Sequence, residues 1–175
     1  MDAYSTTWLA GQLGGLVALG FIMIAFASRQ DDRLLVHLIF ANVAFATHFA
    51  LFMQWTAAGI SLLVIARILL ARRFKGRWSV MLPVLAVNVI VALVTASEPA
   101  DLWPLAAGVF GTFGMFMLRG IPMRLMLAGA ALAWLTNNLL IGSIGGIIAE
   151  LLALGTNLLT IWRLRRGRGQ SVNRA

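Results

Sequence analysis

The chain has no cysteine. Disulfides, thiolate metal sites and cysteine nucleophiles are therefore excluded, although that absence names no compartment. Charge is scarce as well: 11% of the 175 residues are charged against 61% hydrophobic, and the mean hydropathy is +0.89. A chain of that composition does not form a water-soluble globule. Phosphate-binding glycine loops, metal constellations and nucleophile–base pairs are missing too, so the sequence points away from an enzyme and away from any cofactor. His37 and His48 lie on one helix face but roughly 16 Å apart at about 1.5 Å per residue, too far to share a metal.

What the chain does have is seven apolar runs, at 8–26, 34–53, 55–71, 78–96, 103–118, 124–141 and 144–162. A membrane-spanning helix needs about 20 apolar residues, with a range of roughly 17–25. Only Gln54 separates the second run from the third, and the Gln54-Trp55 pair marks a tight turn at an interface. Every Lys and Arg except Arg67 falls in an alternate gap: Arg29 and Arg33; Arg72, Arg73, Lys75 and Arg77; Arg119 and Arg124; and the tail from Arg163 to Arg174. The remaining gaps and the N-terminus hold only Asp2, Glu98 and Asp101. Because Lys and Arg in short loops stay cytoplasmic, the pattern predicts seven spans with the N-terminus outside and the C-terminus inside. Trp8, Trp55 and Trp103 then form an outer aromatic belt, with Trp78 and Trp162 at the inner interface.

The net charge of +8 is spread over those cytoplasmic segments, so its expected partner is anionic lipid headgroups and not nucleic acid. The basic tail, 163–175, reads as an anchor, with headgroup or partner binding as the other reading. Asp31-Asp32, between Arg29 and Arg33, reads as a solvated cluster. Asp2 stands where a signal peptide would carry positive charge, so the first run is expected to be a span and not a leader.

Shifting the chain by ninety residues overlays the end of the first half on the end of the second. His48 then falls on Asn138 and Arg67 on Asn157, and each half closes in an Arg-rich segment. Arg33-Leu34 and Arg124-Leu125 open the middle spans at nearly the same shift. The first span of each unit is glycine-rich: Gly11, Gly14 and Gly15, then Gly108, Gly111 and Gly114. Three crossings reverse the chain, so two parallel units need one extra span between them. The predicted organisation is a single membrane domain over 1–175, an all-α 3+1+3 arrangement. Its parts are a triple-helix unit at 8–71, a linker helix at 78–96 and a second unit at 103–162.

The segment Gly142-Ser143-Ile144-Gly145-Gly146, followed by Glu150, Asn157 and Trp162-Arg163, resembles the matching region of the YgjV-like bacterial inner-membrane proteins. The stretch from His48 through Arg67 resembles them as well. That family is grouped with the SWEET and PQ-loop proteins, which implies a SWEET-like fold in the bacterial inner membrane. Sugar carriers of that group place an asparagine of the last helix in their substrate pocket, and the resemblance assigns that role to Asn157. Its mate in the first unit is Arg67, which admits an anionic ligand. The Pro-Gln pair that names PQ-loop proteins is absent, so a proline hinge is not implied here.

Ionisable groups inside spans are costly and are candidates for function. Arg67 lies roughly 7 Å from the inner boundary at about 1.5 Å per residue, close enough for its stem to snorkel to headgroups. Glu150 lies roughly 9 Å below the outer boundary, and a core about 30 Å thick leaves roughly 14 Å between the two along the normal. His48 matches Glu150 in depth, so His48, Glu150, Asn137 and Asn138 are expected to form an outer polar cluster. That cluster is either a substrate or proton site or a network that holds the bundle together. Trp134, one turn before Asn138, is either an aromatic plate in a central cavity or a filler between helices. Asn42 and Asn88 are expected to bond to neighbouring helices. The glycines of spans one and five serve either rocking or close packing. The expected activity is facilitated or proton-linked passage of a small polar solute between the two units. A non-transporting binding, scaffold or sensor protein is the alternative, and homo-oligomerisation is left open.

Overall fold

The computed structural model describes residues 5–27 and 31–172. Its helices are α1 (Thr6–Ala27), α2 (Asp31–Leu51), α3 (Trp55–Arg73), α4 (Trp78–Thr95), α5 (Leu102–Met117), α6 (Gly120–Ile141) and α7 (Ile144–Val172). A short 3-10 turn, Pro99–Asp101, leads into α5. Each apolar run of the sequence coincides with one helix. The leading Asp2, the Asp31-Asp32 cluster beside Arg29 and Arg33, and the tail cations Arg168 and Arg174 lie outside the described residues or side chains.

Among the described residues, five helices, α1, α3, α4, α6 and α7, are long and apolar enough to cross a membrane. Helix α2 has 21 residues, and its described side chains, Val36–Leu51, form a further apolar stretch. Helix α5 has 16 residues, about 24 Å at a rise of about 1.5 Å, against a hydrocarbon core of about 30 Å. Helix α7 continues through the basic segment to Val172. Arginine is a good helix former, and the Arg166 guanidinium lies 3.9 Å over the Trp162 ring one turn earlier.

The turn expected at Gln54-Trp55 is there and is tight. Gln54 N–H donates to the Phe49 carbonyl at 2.8 Å and Met53 N–H to that of Ala50 at 3.0 Å. Met53 takes a left-handed conformation, φ 59°, to close it. On the far side of the bundle, Gly76 N–H donates to the Phe116 carbonyl at 2.8 Å and ties the α3–α4 loop to the end of α5. Burial, and then the nearby Arg119, lower the Lys75 ammonium pKa in that loop.

Where helices meet, the buried apolar residues are mostly alanine: Ala18, Ala57, Ala107, Ala130, Ala133 and Ala149 among them. Lipid tails are as apolar as leucine, so helices associate in a membrane through close packing, which small residues permit. Many large apolar side chains point outward; Leu93 and Val94 of α4 are each 79% exposed.

Helix α1 packs on α2 and α7, α3 on α2 and α5, and α6 on α5 and α7, which closes a ring of six helices. Helix α4 packs chiefly against α3 and α5, outside that ring. Its end is fastened by the Thr56 and Thr95 hydroxyls, 2.9 Å apart. Thr95 donates its proton to the Val91 carbonyl, so Thr56 is the donor between the two hydroxyls.

Candidate functional site

A cavity of about 300 Å³ lies inside the ring. Its polar lining is Asn42 from α2, Arg67 from α3, Arg124 and Trp134 from α6, and Glu150, Thr156 and Asn157 from α7. Ala130, Ala131, Ala149 and Ala153 line it as well, and their small side chains leave the space open. Of the residues singled out in the sequence, Arg67, Trp134, Glu150 and Asn157 thus meet around one space. His48, Asn137 and Asn138 are not part of its lining.

Arg67 does not snorkel to the end of the bundle. It is 7% exposed, and its guanidinium crosses to α5, where Nη1 donates to the Gly108 carbonyl at 3.4 Å. Nε has no partner among the described residues. The reason is steric: a side chain at Gly111 would fill the place where the guanidinium lies. A guanidinium carries five N–H donors, so one long bond leaves most of them free. Burial in that state is costly unless an acceptor is supplied.

Arg124 donates from Nη1 to Asn157 Oδ1 at 3.4 Å, across from α6 to α7. Asn157 in turn donates from Nδ2 to the Ala153 carbonyl of its own helix at 2.9 Å. The sequence counts Arg124 among the gap cations and also places it at the opening of the sixth run, without assigning it to a site. Its position one turn inside α6 was the available signal. The half-buried Glu150 carboxyl, two turns from Asn157 on α7, has no hydrogen bond or ion pair among the described residues. Arg67 and Glu150 share the cavity without pairing.

Trp134 has two roles. It lines the cavity, and one face of its indole stacks on Phe49 at 5.4 Å and 12°. Phe49 also touches His48, with ring centroids 5.0 Å apart, so His48 stands one ring behind the cavity wall.

The expected outer cluster divides among separate neighbours. His48 is fully buried, and its Nδ1 lies 2.6 Å from the Gly11 carbonyl on α1. A carbonyl only accepts, so Nδ1 carries the proton and Nε2 is the acceptor; Nε2 has no partner among the described residues. Asn138 donates from Nδ2 to the Trp134 carbonyl at 2.9 Å, and Gly146 of α7 rests against its amide oxygen. Asn137 is 1% exposed, and neither of its amide atoms has a partner among the described residues. Asn42 and Asn88 also depart from expectation. Each donates to the carbonyl four residues back on its own helix, Leu38 at 2.8 Å and Val84 at 2.7 Å. The local acceptor lies within reach without ordering a second helix.

One residue absent from the sequence reading closes this end of the bundle. Gln12 of α1 donates from Nε2 to the Gly142 carbonyl at 2.6 Å and accepts from Ile144 N–H at 3.1 Å through Oε1. One side chain thereby satisfies two backbone groups left open where α6 ends and α7 begins. The Gly-Ser-Ile-Gly-Gly segment builds the rest of the joint. Gly142 ends α6 at φ 68°, and the Ser143 hydroxyl caps α7 through Gly146 N–H at 3.1 Å. Gly145 lets the α7 backbone meet that of α1 at Gly15. Glutamine has no sequence mark for such a role beyond lying in an apolar run.

Residues 9–168 match the sequence profile of Imp-YgjV, a family described as bacterial inner membrane protein. The chain belongs to the YgjV family. Among its relatives is inner membrane protein YgjV of Escherichia coli (strain K12), 28% identical over 169 residues that cover 95% of this chain and 90% of that protein. Like that relative, this YgjV-family chain is a multi-pass protein of the bacterial inner membrane. No solved structure matches it. The Gly-Ser-Ile-Gly-Gly joint, Glu150, Asn157 and the cavity between them all lie within the matched residues of the YgjV family.

Proposed function

We propose that the chain carries a small polar solute across the inner membrane through the cavity inside its helix ring, without an enzymatic step. The observation that carries this reading is the convergence of Arg67, Arg124, Glu150 and Asn157 on one space. Ionisable groups inside a membrane bundle line solute or ion paths more often than they serve packing.

The contact pattern supports the 3+1+3, SWEET-like arrangement. Exchanging α1, α2 and α3 for α5, α6 and α7 turns each contact of the ring into another contact of the ring. In the orientation given by the Lys and Arg distribution, N-terminus outside, the cavity occupies the cytoplasmic half. It runs from Arg124 toward Glu150, while Gln12, His48 and Gly145 close the outer half. That is the form of a carrier open to the inside. Arg73 and Arg77, each within cation–π range of Phe74, then face anionic headgroups at the cytoplasmic surface. A second reading, a binding or scaffold protein, draws on the dry packing of His48 among Phe45, Phe49 and Phe52.

The native chain has no cysteine, so single introduced cysteines report access without background. Ala153→Cys, in the cavity wall, should react with a membrane-impermeant thiol reagent from the cytoplasmic face and, more slowly, from the periplasmic face. Access from the cytoplasm alone under all conditions would support the scaffold reading, and access from neither face would remove the cavity from consideration.

A further inference from the structure

The cavity lining is not neutral, and its imbalance identifies a class of solute. Two guanidiniums, Arg67 and Arg124, stand against a single carboxyl, Glu150. Arg67 is more than nine-tenths buried, with Nε unpartnered and one long bond from Nη1. Arg124 already uses Nη1 on Asn157, which holds its side chain across the cavity. Nothing among the described residues supplies an anion to either guanidinium. The planar fork of arginine matches the two oxygens of a carboxylate, and its weak hydration suits it to a buried ion pair. Trp134 lines the same cavity farther along α6, roughly 15 Å from Arg124 at about 1.5 Å per residue. Phe49 stacks on one face of its indole and fixes the plane of the ring, so an apolar or aromatic body has a rigid surface to rest on.

We infer that the transported solute is a small carboxylate, its oxyanion held by Arg67 and Arg124 and its carbon body against Trp134. This rests on the transport reading and narrows it. A cavity of about 300 Å³ is at the small end for ligand pockets, which excludes oligosaccharides and nucleotides. A second carboxylate would lie toward Glu150, where the lining offers no further cation, and would have to be buried unpaired at high cost. The class is therefore a monocarboxylate and not a diacid. Sugars, which carry no charge, leave the Arg67 donors less well satisfied than a carboxylate does.

The test is isothermal titration of the full chain in detergent micelles, at constant sodium chloride, with benzoate, hexanoate, succinate, glucose and choline. Benzoate and hexanoate should bind, succinate should bind at least tenfold more weakly, and glucose and choline should not bind. Arg67→Gln and Arg124→Gln should each weaken benzoate tenfold or more, and Lys75→Gln, which removes a cation outside the cavity, should leave it unchanged. Where Arg67→Gln does not fold, Arg67→Lys keeps the charge but loses the fork, and should still cost about tenfold. Glucose binding that ignores Arg67, with no response to benzoate, overturns the carboxylate while leaving the cavity reading in place. No binding by any probe overturns both. Arg67-dependent stabilisation by phosphatidylglycerol nanodiscs, without any response to the soluble probes, assigns the guanidinium to a lipid phosphate and overturns the proposal.

Discussion

The guanidinium of Arg67 occupies the volume that a side chain at Gly111 would take, so a glycine on α5 and a charge on α3 define each other's place. This relation explains at one stroke why Arg67 stays in the bundle and why span five has a glycine at that position. Close packing, not a hinge, is what Gly111 serves. Gly108 against Asn88 and Gly15 against His48 follow the same logic.

Gly111→Ala should therefore lower stability by about 1–3 kcal/mol through overpacking. In an Arg67→Met background the penalty should shrink, since the displaced group is gone. A double-mutant cycle on thermal unfolding reads the coupling, and strictly additive effects would separate the two residues.

Gly145→Ala meets backbone and not a flexible side chain, because the added carbon would run into Gly15. Nothing lies within 4 Å of a carbon added at Gly20. The first substitution should prevent folding or lower the melting temperature strongly; the second should leave it unchanged or raise it, given that alanine is favoured over glycine in a helix interior by about 1 kcal/mol.

Replacing Gln12 by Leu removes both bonds that α1 makes to the α6–α7 joint. With two backbone groups left without a partner, the loss should be about 2–4 kcal/mol. Ser143, fully buried in the native chain, should become reactive as Ser143→Cys only when Gln12 is replaced. Reactivity in the presence of Gln12 would mean that the joint opens without breaking the clamp.

His48→Ala and Glu150→Gln share no bonding partner, since His48 bonds to Gly11 and Glu150 faces the cavity. Their effects on stability should add to within about 0.5 kcal/mol. His48→Ala should cost about 2–4 kcal/mol from the lost bond and the void left between Phe45 and Phe52. A coupling well above that limit would restore the pair as one unit.

Reporter fusions after Arg77 and after Arg166 should report cytoplasm, and one after Glu98 should report periplasm. The distribution of Lys and Arg motivates all three. A cytoplasmic signal at Glu98 would remove the crossing on one side of the α4–α5 loop, and with it the inward-open assignment of the cavity.

Helix number and helix position were legible in the sequence because a membrane imposes length and apolarity on each span separately, before any helix meets another. The segment Gly142 to Gly146 stood out in the sequence only by its resemblance to the YgjV-like proteins; its left-handed end and its cap are seen in the structure. Partner choice was not legible. Depth along the membrane normal brought His48 and Glu150 level, but depth says nothing about rotation about the helix axis or about which neighbour each face meets. Only packing set His48 on Gly11, turned Arg67 away from the headgroups toward Gly108, and made the unremarked Gln12 the fastening of α1 to α7. The sequence alone thus determined which segments form apolar helices, since transfer from water to lipid is a property of each segment. Which charges face one another inside was decided by tertiary structure, since a helix in lipid gains its contacts from close fit, and fit depends on the shape of both surfaces.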